Sequence, residues 1–236
     1  MSTLRQSSID VSHDDHWIPL SDLMTGLMVI FLLIAVLYMM RVEAEASRIR
    51  EVAIAYSEIK DALYSDLYAE FKDDLPKWKA QINREDLSIR FTEPDVLFAL
   101  GSSDLKPTFK AILVNFFPRY VRILTSDKYR NAISEVRIEG HTSSRWSAVV
   151  TPEDAYFLNM ALSQARTRST LRYVMSIQPT ANQTWLRQYV TANGLSSSRL
   201  VTDRDGQEDA DRSQRVEFRV RTDAETRLAK ILEVSR

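Results

Sequence analysis

The chain has 236 residues, 44% of them hydrophobic and 27% charged, with a formal net charge of -1. That length supports one ordinary domain with connecting segments and a sizeable core, and the near-neutral balance gives no sign of the basic surface that nucleic acid demands. There is no cysteine, which excludes disulfide staples, cysteine-ligated zinc and cysteine nucleophiles and suits either side of a membrane.

Residues 1–16 form a polar leader. Residues 23–40, LMTGLMVIFLLIAVLYMM, are 18 successive uncharged, mostly apolar residues, enough to span a hydrocarbon core of about 30 Å as a helix. Trp17 and Tyr38 suit the two interfaces, and Pro19, with a fixed φ and no N–H, suits a first helical turn. A cleaved signal peptide is the rival, with Ala44, Glu45 and Ala46 resembling a cleavage site. The leader argues against it: Asp10, Asp14 and Asp15 accompany a single Arg5, and the apolar run exceeds the about 7–15 residues of a signal centre. A retained membrane helix over residues 17–40 is expected. Arg41, Arg48 and Arg50, counted alone, would put the following side in the cytoplasm. Asp22 is a lone carboxylate at the edge of the run, and an acid inside a membrane is a functional candidate by default. The competing reading is an acid complementing the helix dipole, or capping it with Ser21.

Over residues 41–84 a helical neck is expected. Val42, Ala46, Ile49, Val52, Tyr56, Ile59, Leu63, Leu67 and Phe71 recur at steps of three or four, about three heptads at the start, so a dimeric coiled coil and a helix packed on its own domain are both open. Strands are expected over 87–91 and 96–100, then a helix over 107–124 interrupted by Pro118, a strand over 136–140 and a long helix from Pro152. A further helix over 184–193, a short strand at Leu200 and Val201, a strand over 215–221 and a helix over 224–234 complete the chain. Strands interleaved with helices predict an α/β (α+β) domain, helices on a mixed sheet, over residues 85–223. Residues 203–212, DRDGQEDADR, read as a solvated loop, lacking the spacing and closing glutamate of an EF-hand.

No catalytic constellation is evident, so an enzyme is the least expected class. His13 and His16 lie in the leader, and no histidine cluster has metal-ligand spacing. His141 follows a strand near Ser143 and Ser144; a buried, hydrogen-bonded histidine is expected over a base, since no oriented third group is apparent. Five glycines in the whole chain leave no phosphate-cradling loop.

Three stretches stand out: Gly140-His141-Thr142, Asn159 to Arg166 as NMALSQAR, and Arg215-Val216-Glu217-Phe218. Together with residues 96–102 they resemble the OmpA-like peptidoglycan-binding domain, whose pattern runs GHTD, NxxLSxxR and NRRVE. The resemblance covers residues 87–223. It implies that Arg166 holds a stem-peptide carboxylate, with Thr142, Ser143, Asn159, Leu162 and Arg215 around it. The family's acid after GHT is here Ser143, and the NRR triplet reads Ser213-Gln214-Arg215, so the amine contact does not carry over; Asp154 or Glu153 are the substitutes considered.

Residues 21–39, SDLMTGLMVIFLLIAVLYM, resemble the MotB family of stator subunits, in which an aspartate followed by a short motif and an apolar helix carries protons. Asp22 matches that aspartate, with Thr25 beside it. One membrane helix, a helical neck and an OmpA-like domain is the MotB order. Within that superfamily the long neck and acidic leader look most similar to the ZorB family of Zorya anti-phage defence systems. The resemblance implies a dimer ringed by a MotA- or ZorA-like multi-span partner, a cytoplasmic N-terminus, a periplasmic C-terminal domain and no cofactor beyond the transported ion, H+. A flagellar-type stator and a passive envelope tether are the alternatives.

Overall fold

The computed structural model describes residues 17–92, 97–146 and 149–223. The leader, Val96 and the helix expected over 224–234 lie outside the described residues. So do the side chains of Trp17, Pro19, Val52 and Tyr56, and with them the interfacial role expected of Trp17 and two of the neck positions. Helix α1 (Trp17–Phe71) is followed by β1 (Ala80–Asn83), β2 (Ser88–Phe91), α2 (Pro107–Leu124), β3 (Ile133–His141), α3 (Pro152–Ser176), α4 (Thr180–Tyr189), β4 (Val190–Gly194), α5 (Ala210–Ser213) and β5 (Arg215–Thr222). Contacts divide the chain into two units, Met1–Glu51 and Val52–Arg236.

In the first unit, Leu20–Glu51 is long and apolar enough to cross a membrane. Its large side chains from Leu23 to Leu33, and Tyr38 to Met40 beyond, are exposed, and a helix apolar all round is one that protein or lipid must cover. The helix starts at Trp17, making Asp22 its sixth residue, and no acid lies in the first turn. The capping reading of Asp22 therefore fails, because free N–H groups and dipole charge act within that turn.

The second unit is a sheet of order β1-β2-β5-β3-β4 with helices packed on its apolar face. β1 with β2, β2 with β5 and β5 with β3 are antiparallel, while β3 and β4 are parallel. The last strand thus inserts at the centre, and α3 and α4 make the crossover that a parallel pair requires. Side chains alternate across β5: Val216, Phe218 and Val220 enter the core, whereas Arg215, Glu217, Arg219 and Arg221 take the other face. Phe116 of α2 sits amid Phe71, Trp78, Phe91, Tyr120 and Phe218, at ring separations of 5.0 to 6.1 Å.

The folded unit reaches further back than the expected boundary at residue 85. Leu63, Leu67 and Phe71, at four-residue steps on α1, are fully buried in the core, and β1 forms the sheet edge. The helix expected over 184–193 ends at Tyr189, and Val190–Gly194 is instead strand β4. Its register against β3 pairs Val136 with Val190 and Gly140 with Gly194. Residues 97–100 and 200–201 form no strand: Phe98 makes an isolated bridge to Leu105, and Thr202 one to Glu208.

Two glycines seat α3. A Cβ on Gly140 would stand 2.6 Å from Thr167 Cγ2, and one on Gly194 2.3 Å from the Gln164 backbone nitrogen. Helix and strands meet closely there because neither strand carries a side chain at that point.

Candidate functional site

Thr151 opens α3: its hydroxyl accepts from the Asp154 N–H at 3.1 Å and donates to the Asp154 carboxylate at 2.6 Å. This reciprocal cap occupies Asp154, one of the acids considered for the missing position, at an exposed helix start beside Glu153. From there α3 turns a polar face inward, burying Asn159, Ser163, Arg166, Thr167 and Thr170. Asn159 and Arg166, seven residues apart, share that face.

The Arg166 side chain is 7% exposed. Its Nε donates to the Ser102 carbonyl at 2.9 Å, a second nitrogen approaches the Ala99 carbonyl at 3.5 Å, and the guanidinium lies 4.9 Å from the centre of the Phe98 ring. Those carbonyls come from the turn at Gly101, whose φ of +65° suits glycine. No carboxylate among the described residues lies within ion-pair distance of Arg166, and burial lowers its proton affinity. A buried cation held by carbonyls and one ring face, with no counter-charge among the described residues, favours an incoming anion.

Asn159 Nδ2 donates to the Arg145 carbonyl at 3.2 Å, tying α3 to the segment after β3. Thr142 and Ser143 are buried in that segment, and Thr142 Oγ1 has no hydrogen-bond partner. Leu162 is half-buried. Arg215 shares a small cavity with Arg166, His141 and Ser163, but its charge is already engaged. Its Nε meets Glu217 at 2.6 Å, and Nη1 donates to the Arg199 and Ser213 carbonyls. The structure thus ties Asn159 to the segment that holds Thr142 and Ser143, seats Arg166 against the turn at Gly101, and gives Arg215 a structural contact.

His141 is buried as expected, but neither ring nitrogen is hydrogen-bonded. It makes no contact that would activate a serine; Ser144 instead donates its N–H and hydroxyl to Glu208. The imidazole lies 3.9 Å from Glu139 and 3.8 Å from Glu217, the trio with metal-ligand spacing among the described residues. Burial, and then Arg215, Arg199, Arg219 and Arg90, push its pKa down to about 2. A divalent cation there would meet the same four positive charges that keep a proton off the ring. Sequence reading missed Glu139 and Glu208; the alternation in β3 places Glu139 opposite the core, whereas nothing local marks Glu208.

In the first unit, the Thr25 hydroxyl donates to the Ser21 carbonyl one turn back, at 2.8 Å. It does not donate to the Asp22 carboxylate; a helical threonine reaches the i−4 carbonyl more easily than a neighbouring side chain.

The mixed-sheet domain has a MotB-like fold. A MotB-like protein from Desulfovibrio vulgaris shares the fold, with 21% identity and a TM-score of 0.52 over 74% of this chain and 98% of that one. An OmpA-like domain from Francisella tularensis aligns at 18% identity and a TM-score of 0.37, over 61% of this chain and 80% of that one. No family model matches the chain. The chain is 48% identical over 221 residues to the Zorya protein ZorB of Escherichia coli strain ATCC 8739, covering 93% of each. It therefore belongs to the ZorB family of Zorya proteins.

Proposed function

We propose that this chain is the wall-anchored stator subunit of an ion-driven membrane motor serving anti-phage defence. The reading is supported by one combination: a single polypeptide joins an apolar span bearing the lone Asp22 to a domain holding a buried guanidinium, Arg166, with no counter-ion among the described residues. In this account residues 20–40 cross the inner membrane once, the N-terminus is cytoplasmic and the domain periplasmic. Large domains translocate largely regardless of charge, which outweighs Arg41, Arg48 and Arg50.

Arg166 binds a carboxylate of peptidoglycan and fixes the chain. Two copies pair through the neck, and a MotA- or ZorA-like multi-span protein surrounds them. A charged aspartate at membrane depth costs about 2.5–3.5 kcal/mol, and a proton moving down the potential releases about 2.3 kcal/mol per 100 mV. Protonation of Asp22 is thus of the size needed to switch which helix packing is preferred, and alternation between two copies steps the partner around them. The chain's work is proton carriage and anchoring, with no covalent chemistry. Retention of the full chain on purified sacculi tests the anchor: Arg166→Ala is expected to lose tenfold or more, and equal retention would refute it.

A further inference from the structure

We infer that Arg119 is a positioning residue for the motor: it rivets the end of the neck to the folded domain, so that residues 59–74 and the domain bear load as one body. This rests on the motor reading above, in which a stator works only if its reaction force reaches the wall.

The apolar side of α1 resists separation. Leu63, Leu67 and Phe71 are fully buried in the domain core, and Ile59 packs against it. These four positions of the neck repeat are occupied within one chain, so pairing between two copies ends before Ile59. Apolar burial is non-directional. It leaves the rotation and sliding of the helix to be fixed by polar contacts.

Asp61, Asp66, Glu70 and Asp74, at steps of five, four and four, make those contacts with bases of the domain. Asp61 meets Arg84 at 2.9 Å, and Asp66 meets Lys128 at 2.8 Å and the Tyr129 hydroxyl at 2.6 Å. Each of these two acids engages through one carboxylate oxygen. All four side chains of the two ion pairs are 44% exposed or more, and exposed pairs contribute little.

Arg119 differs in kind. It comes from α2, is 27% exposed and meets a Glu70 that is 26% exposed. Its Nε donates to the Glu70 carboxylate at 2.7 Å, Nη2 to the Glu70 backbone carbonyl at 2.6 Å and Nη1 to the Asp74 carboxylate at 2.8 Å. Nη1 also donates to the Asn115 side chain at 2.7 Å, and the guanidinium lies 4.8 Å from the centre of the Phe71 ring. The last turn of α1 holds no basic residue, and Arg119 supplies from α2 the cation that suits a helix C-terminus. Three nitrogens of one rigid plane hold three different groups at the end of the neck. A plane held at three points fixes both the rotation and the register of α1.

The experiment uses the full chain and reads hydrogen exchange in detergent, retention on purified sacculi and phage protection in cells carrying the multi-span partner. Wild-type amides of residues 60–71 are expected to exchange within tenfold of those of α2. Faster exchange overturns the proposal without any variant. Arg119→Met keeps an apolar contact with Phe71 and removes the fork. It is expected to speed exchange over residues 60–71 tenfold or more and to lower protection tenfold or more. Exchange in α3 and sacculus retention are expected to stay within twofold of wild type. Unchanged exchange or unchanged protection overturns the proposal. So does a loss of retention, which would make Arg119 a support of the whole domain. If Asp22→Asn protects cells as wild type does, the motor reading falls; if Asp22→Asn fails to protect and Arg119→Met protects fully, only the joint falls.

Discussion

Gly194 and Gln164 lock strand β4 to helix α3. The Gly194 N–H donates to Gln164 Oε1 at 2.7 Å, and a Cβ on the glycine would stand 2.3 Å from the Gln164 backbone nitrogen. Gly194→Ala therefore forces helix and strand apart and is expected to cost about 1–3 kcal/mol, at the upper end because the obstacle is backbone. Gly140→Ala meets first a threonine methyl, at 2.6 Å, and is expected to cost less. Urea unfolding of the two variants measures the order.

Arg215 and Arg166 are both buried arginines, and they separate by what surrounds them. Removing Arg215 takes the shortest ion pair from the fully buried Glu217 and leaves it Arg90 at 3.2 Å and Arg219 at 3.6 Å; Arg215→Ala is expected to cost about 1–3 kcal/mol. Arg166 has no charge partner to strand among the described residues, so Arg166→Met is expected to stay within about 1 kcal/mol of wild type, an apolar replacement of a buried charge being commonly neutral. Denaturant unfolding together with sacculus retention checks the contrast, since Arg166→Met should still lose the wall.

His141 predicts how stability depends on pH. Held at about 2 in the fold by burial and four guanidiniums, it refuses the proton that an unfolded chain's histidine accepts near pH 6.5. The fold keeps its full stability above pH 6.5 and loses about 1.4 kcal/mol per pH unit as pH falls below that, down toward the folded value. Unfolding free energies at pH 7, 6 and 5 should show this slope, and His141→Asn should flatten it.

Much of this architecture is legible in periodicity. The alternation of β2, β3 and β5, the Pro-opened helices α2 and α3 and the apolar span all follow from residue spacing. Strand β4, VTANG, does not: it is short, only Val190 is buried, and the apolar spacing of Trp185, Leu186 and Tyr189 runs into it without a break. β1, AQIN, alternates over only four residues at the sheet edge, too few to stand out. At the site, Asn159 and Arg166 are marked by the resemblance to the NxxLSxxR pattern, and their seven-residue spacing, two helical turns, puts them on one face. Glu208 could not be read, since it meets Ser144 across 64 positions of sequence and only the sheet order brings them together.

Asp22 carries the central claim. Proton flux into liposomes containing the full chain with its multi-span partner, driven by an imposed pH gradient and membrane potential, tests it most directly. Asp22→Asn is expected to abolish the flux while leaving retention on sacculi unchanged. Flux equal to wild type in that variant would contradict a proton-carrying role and leave the helix a passive anchor.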